Sequence, residues 1–170
     1  MPALSTCLAT TADIVPLQAL IQRAYRGAAS RAGWTHEADL IGEGERIDLA
    51  ELHAMLADPA ERLLVGWSGD RRIGCVRVAT IDRDLAYLGL LCVDPPLQAA
   101  GHGKHLIDAA EDIARVTFGA RRIEMTVIEQ RRELIAFYRR RGYVLTGERR
   151  DFPIALDPPL FLVVLEKPLA

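Results

Sequence analysis

The stretch Leu88-Gly-Leu-Leu-Cys-Val-Asp-Pro-Pro-Leu-Gln-Ala-Ala-Gly-His-Gly-Lys-His-Leu106 decides the reading of this chain. It opens as an apolar run that predicts a buried strand, breaks at Pro95-Pro96, and passes through Gln98-Ala-Ala-Gly-His-Gly103 into a helix. Strand, glycine loop and helix in that order make an anion site, because the first N–H groups of a helix lack intrahelical partners and together carry about half a positive charge. Glycine at 101 and 103 lets a phosphate approach the backbone with no Cβ in the way. Two glycines alone are equally the mark of a plain turn.

The wider spacing is more specific. Val93-x-Pro95-x-x-Gln98-x-x-Gly101-x-Gly103-x-x-Leu106 is followed about thirty residues later by Phe137-Tyr138 and Gly142-Tyr143. This pattern resembles the GNAT superfamily of acyl-CoA-dependent N-acetyltransferases, whose hallmark loop reads Gln/Arg-x-x-Gly-x-Gly/Ala. The resemblance implies an α/β (α+β) fold with a mixed central sheet of about six or seven strands, about four flanking helices, and a splayed parallel strand pair that binds CoA. It also implies acetyl-CoA as cosubstrate with no metal, and direct transfer to a primary amine in a ternary complex.

Carried over position by position, the resemblance places the pantetheine arm and acyl group on Leu91, Cys92 and Val93, with the Val93 N–H polarising the thioester carbonyl. The pyrophosphate falls to Ala99, Ala100, Gly101, His102, Gly103 and Lys104, with Gln98 also among the cofactor-binding residues. Tyr138 matches the family tyrosine beside the thioester sulfur; a phenol with a pKa near 10 is protonated at neutral pH and can donate to the departing thiolate. Read without the resemblance, Tyr138 is simply a core aromatic on a helix with Leu134 and Phe137. Where the family often has Asn and Ala, seven and four residues before the tyrosine, this chain has Arg131 and Leu134. Arg131 or Arg132 is then a candidate for a phosphate or a substrate carboxylate, against the plainer reading of solvated arginines.

The attacking amine must be neutral, and a lysine-like amine is less than about 1 % neutral at pH 7. Glu37 is the first candidate base, Glu124 the second and His36 the third, each weighed against an ordinary surface or structural role. Glu37 lies in Gly33-Trp-Thr-His-Glu-Ala-Asp-Leu40, inside an unpatterned stretch from Gly27 to Ile47. Loops of that length are usually functional or disordered, and Trp34 argues for packing. The wording of this segment with Arg46-Ile-Asp48 resembles a bacterial GNAT subgroup, which implies an acceptor wall and no particular substrate.

The whole chain fits this picture. Its 170 residues, half hydrophobic and about a quarter charged with a net charge of −2, predict one globular domain, which the resemblance makes a single acetyltransferase domain over residues 1–170. No run of eighteen apolar residues and no basic-then-apolar leader is present, so neither a membrane span nor a secretory signal is expected and a cytoplasmic location is the default. Cys7, Cys75 and Cys92 are odd in number and widely spaced, which predicts buried reduced thiols and no zinc site; nothing around Cys92 supports a nucleophilic role. Residues Arg31 to Glu61 hold eight acids against two arginines, and Arg121 to Arg150 hold nine arginines against four glutamates. The basic half suits CoA phosphates and the acidic half a cationic amine, although solvated faces account for any single charge equally well.

Periodicity predicts strands at Leu4–Ala9, Arg62–Ser68, Arg72–Ile81, Leu85–Val93, Arg122–Ile128, Tyr143–Glu148 and Leu160–Glu166. Helices are expected from Ile14, from Leu49 with Leu49, Leu52, Met55 and Leu56 inward, from the glycine loop to near Gly119, and over Glu133–Arg141. The expected partner is a small-molecule or peptide amine, with no nucleic acid and no membrane, and a homodimer is among the open assemblies. The rival from another class is an acyl-CoA sensor or scaffold that keeps the cleft without catalysis. Nucleic-acid binding through the arginines lacks an accompanying stacking pattern.

Overall fold

The computed structural model describes residues 3–26, 37–42 and 44–170; Trp34 and His36, read above as acceptor wall and third base candidate, lie outside the described residues. Seven strands, β1 (Leu4–Leu8), β2 (Glu61–Ser68), β3 (Arg71–Thr80), β4 (Leu85–Val93), β5 (Arg122–Ile128), β6 (Val144–Asp151) and β7 (Phe161–Pro168), form one sheet in the order β1-β2-β3-β4-β5-β7-β6. Every neighbouring pair is antiparallel except β4 and β5. The helices are α1 (Ile14–Tyr25), α2 (Ala38–Ile41), α3 (Leu49–Ala57), α4 (His102–Asp112) and α5 (Arg132–Arg139).

The sheet is covered on both faces. One core joins Leu106, Ile107 and Ala110 of α4 and Phe137 and Tyr138 of α5 to Val76, Val78, Leu88 and Leu91 of the sheet; the other joins Leu17, Leu20, Ile21 and Ala24 of α1 and Leu52 of α3 to Leu63, Val65, Cys75 and Cys92. A crossover helix between β4 and β5 explains why this pair is parallel. Helix α4 lies close to the sheet because β2 and β3 present Gly66 opposite Gly74. A Cβ at Gly74 would sit 2.5 Å from the Cys92 carbonyl oxygen and 2.9 Å from Leu106 Cδ1, so only glycine fits between strand and helix.

Local signals fix the element ends. Asp48 and Glu51 form a reciprocal capping box at the start of α3, with Glu51 N donating to Asp48 Oδ1 at 2.8 Å and Asp48 N to Glu51 Oε2 at 2.9 Å. Gly69, at φ 62°, turns β2 into β3. Two expectations are corrected: Leu49, at the outer end of α3, is 39 % exposed, and Cys7, on the edge strand β1, is exposed. The helix after the glycine loop runs to Thr117 as expected, widening over Ile113–Thr117 into a π-turn before Gly119. Cys75 and Cys92 are fully buried, paired across β3 and β4 with their sulfurs 3.5 Å apart. Among the described residues, no helix is long and apolar enough to cross a membrane.

Candidate active site

Strands β4 and β5 pair only at Leu85–Arg122, Ala86–Ile123 and Tyr87–Glu124. Beyond these the ladder stops, and a bulge in β4 accounts for part of the divergence. Cys75 lies opposite Cys92 and Arg77 opposite Gly89, so β4 carries one extra residue there, and Leu90 takes a left-handed φ of 51°. The bulge reverses the alternation of faces: Leu88 and Leu91, three apart, enter the same core. A side-chain bond replaces the missing ladder, with the Tyr87 and Thr126 hydroxyls 2.7 Å apart. Gly89 makes room for this link, since a Cβ there would lie 2.8 Å from Tyr87 Cε1.

On the α4 and α5 side of the gap is a cavity of about 270 Å³. Of the residues expected to bind CoA, Leu91, Cys92, Val93, Gln98, Ala99, Gly101, Gly103 and Lys104 line it, whereas Ala100 is exposed and His102 half-buried away from the lining. The loop is anchored by Gln98, whose Nε2 donates to the Val93 carbonyl at 2.9 Å. Ala99 at φ 71° and Gly101 at φ 83° are both left-handed, and Gly101 is the N-cap of α4. The first intrahelical bond runs from His105 N to Gly101 O at 3.2 Å, leaving the N–H groups of His102, Gly103 and Lys104 without helical partners. A Cβ at Gly101 would meet nothing within 4 Å, so the glycine serves backbone conformation and open access.

Two further cations line this cavity, Arg140 and Arg141. The Arg141 guanidinium lies 3.4 Å above the Phe137 ring centroid, its Nη1 donates to the Phe137 carbonyl at 2.7 Å, and burial lowers its pKa. Arg131 and Arg132 line neither cavity described here. The helical stripe Leu134, Phe137, Tyr138, Arg141 was the available signal, since residues at i, i+3, i+4 and i+7 share a face. Most of the other arginines of this segment are ion-paired, as Arg122–Glu166, Arg149–Glu129 and Arg150–Glu124.

A second cavity of about 500 Å³ opens on the α1 side and shares Leu91 and Leu134 with the first. The two therefore meet where β4 and β5 part, with Leu134 at the junction in place of the smaller alanine of the resemblance. Tyr138 lines the second cavity and is 5 % exposed. Its ring is held edge-on by Phe137 at 5.3 Å and by Tyr143 at 6.0 Å, and Tyr143 is in turn tied by its hydroxyl to Glu111 Oε1 at 2.9 Å. Burial pushes the Tyr138 phenol well above its usual pKa of 10, so it is protonated at every physiological pH. Among the described residues its hydroxyl has no hydrogen-bond partner.

The wall of the second cavity contains groups that sequence reasoning missed. The Tyr25 hydroxyl donates to the Leu91 carbonyl at the junction, and desolvation raises its pKa as well. Arg46 stacks on the Tyr25 ring at 4.9 Å. Glu37 lines the second cavity, and its Oε2 is shared by Arg26 Nη1 and, at 3.5 Å, by Arg46 Nε. Glu124 is 4 % exposed and bound to Arg150 Nη1 at 2.9 Å and Nη2 at 3.4 Å, outside the lining of both cavities.

The sequence profile described as "Acetyltransferase (GNAT) family" matches residues 18–143. No curated protein matches the chain. Among solved structures, the spermidine/spermine N-acetyltransferase SpeG from Vibrio cholerae is 17 % identical, with 98 % of this chain and 92 % of that chain covered and a TM-score of 0.71. The ribosomal-protein-S18-alanine N-acetyltransferase from Escherichia coli is 15 % identical, with 99 % and 95 % covered and a TM-score of 0.76. At such identities the likeness is one of fold.

Proposed function

Because the chain belongs to the Acetyltransferase (GNAT) family, we propose that it transfers an acetyl group directly from acetyl-CoA to a primary amine while both are bound. The observation that carries this reading is the meeting of the two cavities at Leu91 and Leu134. A donor arm entering past the glycine loop and an amine entering past Tyr25 reach the same point from opposite sides, which is the geometry direct attack needs. Solved relatives of the fold are named for amine acceptors as different as spermidine and a protein alanine, which supports the amine class and leaves its size open.

Acetyl-CoA supplies the acyl group as an activated thioester. The residues present suit it: the left-handed pair Ala99 and Gly101, the unpaired N–H groups at the start of α4, and Lys104, Arg140 and Arg141 offer a phosphate both hydrogen-bond donors and charge. Tyr138, protonated and without a competing partner among the described residues, is assigned to give its proton to the departing sulfur. Glu37 uses one oxygen for both arginines, and its Oε1, without a partner among the described residues, is assigned to accept a hydrogen bond from the incoming amine and orient it, while the proton the amine loses goes to water.

The test is acetyl-CoA-dependent thiol release across amines, amino acids, polyamines, aminoglycosides and peptides, with Tyr138→Phe run beside the wild type. Amine-stimulated release that falls in the variant supports the reading. Acetyl-CoA binding without stimulation by any amine would replace it with the sensor or scaffold reading.

A further inference from the structure

We infer that the acceptor is a primary amine carried on an apolar arm, alkyl or aryl, and that Ile128, Phe152, Ile154 and Leu162 seat that arm. This rests on the acetyl-transfer reading for the use of the second cavity, and names the class of amine the cavity takes. The starting observation is that the cavity has two unlike walls. One, from the end of α1 to the start of α3, carries Arg26, Glu37, Glu45, Arg46 and Glu51; the other, from β5, β7 and the segment after β6, carries Ile128, Leu162, Phe152 and Ile154. Helix α1 packs on β3 and β4, so the opening between β4 and β5 lies between the two walls.

The apolar wall is not used by the fold. Ile128 stands opposite Leu162 across β5 and β7, and alternation puts both on the face away from Ile123, Met125 and Leu165, which enter the core under α4 and α5. On their own face α1 and α3 pack against β2, β3 and β4, and Ile128, Phe152, Ile154 and Leu162 join neither core. Ile154 is 53 % exposed, and Phe152 and Leu162 are half-buried. Large apolar side chains that face a cavity in place of a helix are what an apolar ligand group covers. The polar wall points the same way. Three glutamates against two arginines leave it one negative charge, which matches a single ammonium before the amine loses its proton. A second ammonium at the end of the arm would be desolvated against Ile128 and Leu162, where among the described residues no carboxylate lines the cavity to meet it.

Two measurements on the whole protein separate this inference from the reading beneath it. The first is calorimetric binding of N-ethylacetamide, N-butylacetamide, N-hexylacetamide and N-acetyl-1,6-diaminohexane to protein saturated with CoA. Each methylene seated on the wall is worth about two- to fourfold in affinity, so the hexyl compound should bind at least about 15-fold more tightly than the ethyl one. The diamine derivative, of the same length but ending in a cation, should bind about tenfold or more weakly than the hexyl compound. Ile154→Ser, a change at an exposed side chain that leaves the fold intact, should lower the hexyl-to-ethyl ratio about threefold or more, and Ile154→Leu should restore it. Leu162→Ser should lower the same ratio. The second measurement is turnover of the matching free amines, with the same order expected in kcat/KM. Equal binding along the series, a diamine derivative that binds as tightly as the hexyl compound, or a ratio untouched by both serine variants overturns the inference. Binding that rises with chain length without turnover of any amine leaves the apolar seat standing and removes the acetyl-transfer reading; turnover indifferent to the arm does the reverse.

Discussion

Replacing Tyr138 by phenylalanine removes a single oxygen whose surroundings make the outcome calculable. The hydroxyl has no partner among the described residues, so its loss orphans no donor or acceptor, and the ring keeps its edge contacts with Phe137 and Tyr143. Stability should therefore change by less than about 1 kcal/mol, or about 2–4 °C in Tm for a domain of this size. The affinity for acetyl-CoA should stay within about twofold, because Tyr138 lies outside the donor cavity. The rate should not survive. A positioned general acid contributes about 10²–10⁴-fold, so kcat should fall at least about 100-fold, equivalent to about 2.7 kcal/mol of barrier. Steady-state thiol release gives kcat and KM, calorimetry gives the affinity, and a thermal melt reports the fold. Full activity in the variant would refute the acid role; lost activity with a Tm lowered by more than about 5 °C would reassign Tyr138 to packing.

Three other outcomes follow from particular residues. Gly101→Val forces a β-branched residue to φ 83° with no atom within 4 Å of its Cβ, so the strain of about 1–2 kcal/mol falls on the loop conformation alone; CoA affinity should drop about tenfold or more with Tm little changed. Tyr138 and Tyr143 hold their protons in the folded protein beyond the usual pKa of 10 because they are buried. Their contribution is complete below pH 10 and lost above it as the unfolded phenols ionise first, so urea midpoints should decline above pH 10 with a slope of about 1.4 kcal/mol per pH unit for each; a flat profile would show the phenols to be accessible. Native alkylation with iodoacetamide should label Cys7 and spare Cys92 and Cys75, the last held protonated by the Cys92 sulfur beside it and by burial. Labelling of all three thiols would contradict the packing of β3 on β4.

The glycine loop, the helix after it and the parallel crossover were legible because each rests on local rules: backbone freedom at Gly101, the breaking of the strand at Pro95-Pro96, and a helical stripe through Leu106 and Ala110. The bulge was not. Leu90 carries no glycine or proline to announce its left-handed turn; what imposes it is the register against β3. Glu37 was found through its neighbours in sequence, but its two arginines come from either side of the loop, and only the folded chain brings Arg26 and Arg46 onto one oxygen. Arg141 was legible in principle, continuing the stripe of Leu134 and Tyr138, whereas the resemblance points to Arg131, the position where this chain differs from the family pattern. The exposed Cys7 reflects sheet order: nothing local says that β1 forms an edge.

The three residue pairs that join β4 to β5 make the sheet two panels stitched along a short seam, with four strands on one side and three on the other. Past the seam, packing, the Tyr87–Thr126 link and the Lys167–Glu111 ion pair help to hold the panels in line. Any molecule that fills the opening and hydrogen-bonds to its edges acts as a further row of stitches, so saturation raises resistance to unfolding as RT ln(1 + [L]/Kd), about 2.7 kcal/mol at a hundredfold excess over Kd. On the proposed placement of the acetyl-CoA arm in this opening, susceptibility to proteolysis becomes a readout of donor supply, because filling the seam makes separation of the panels rarer.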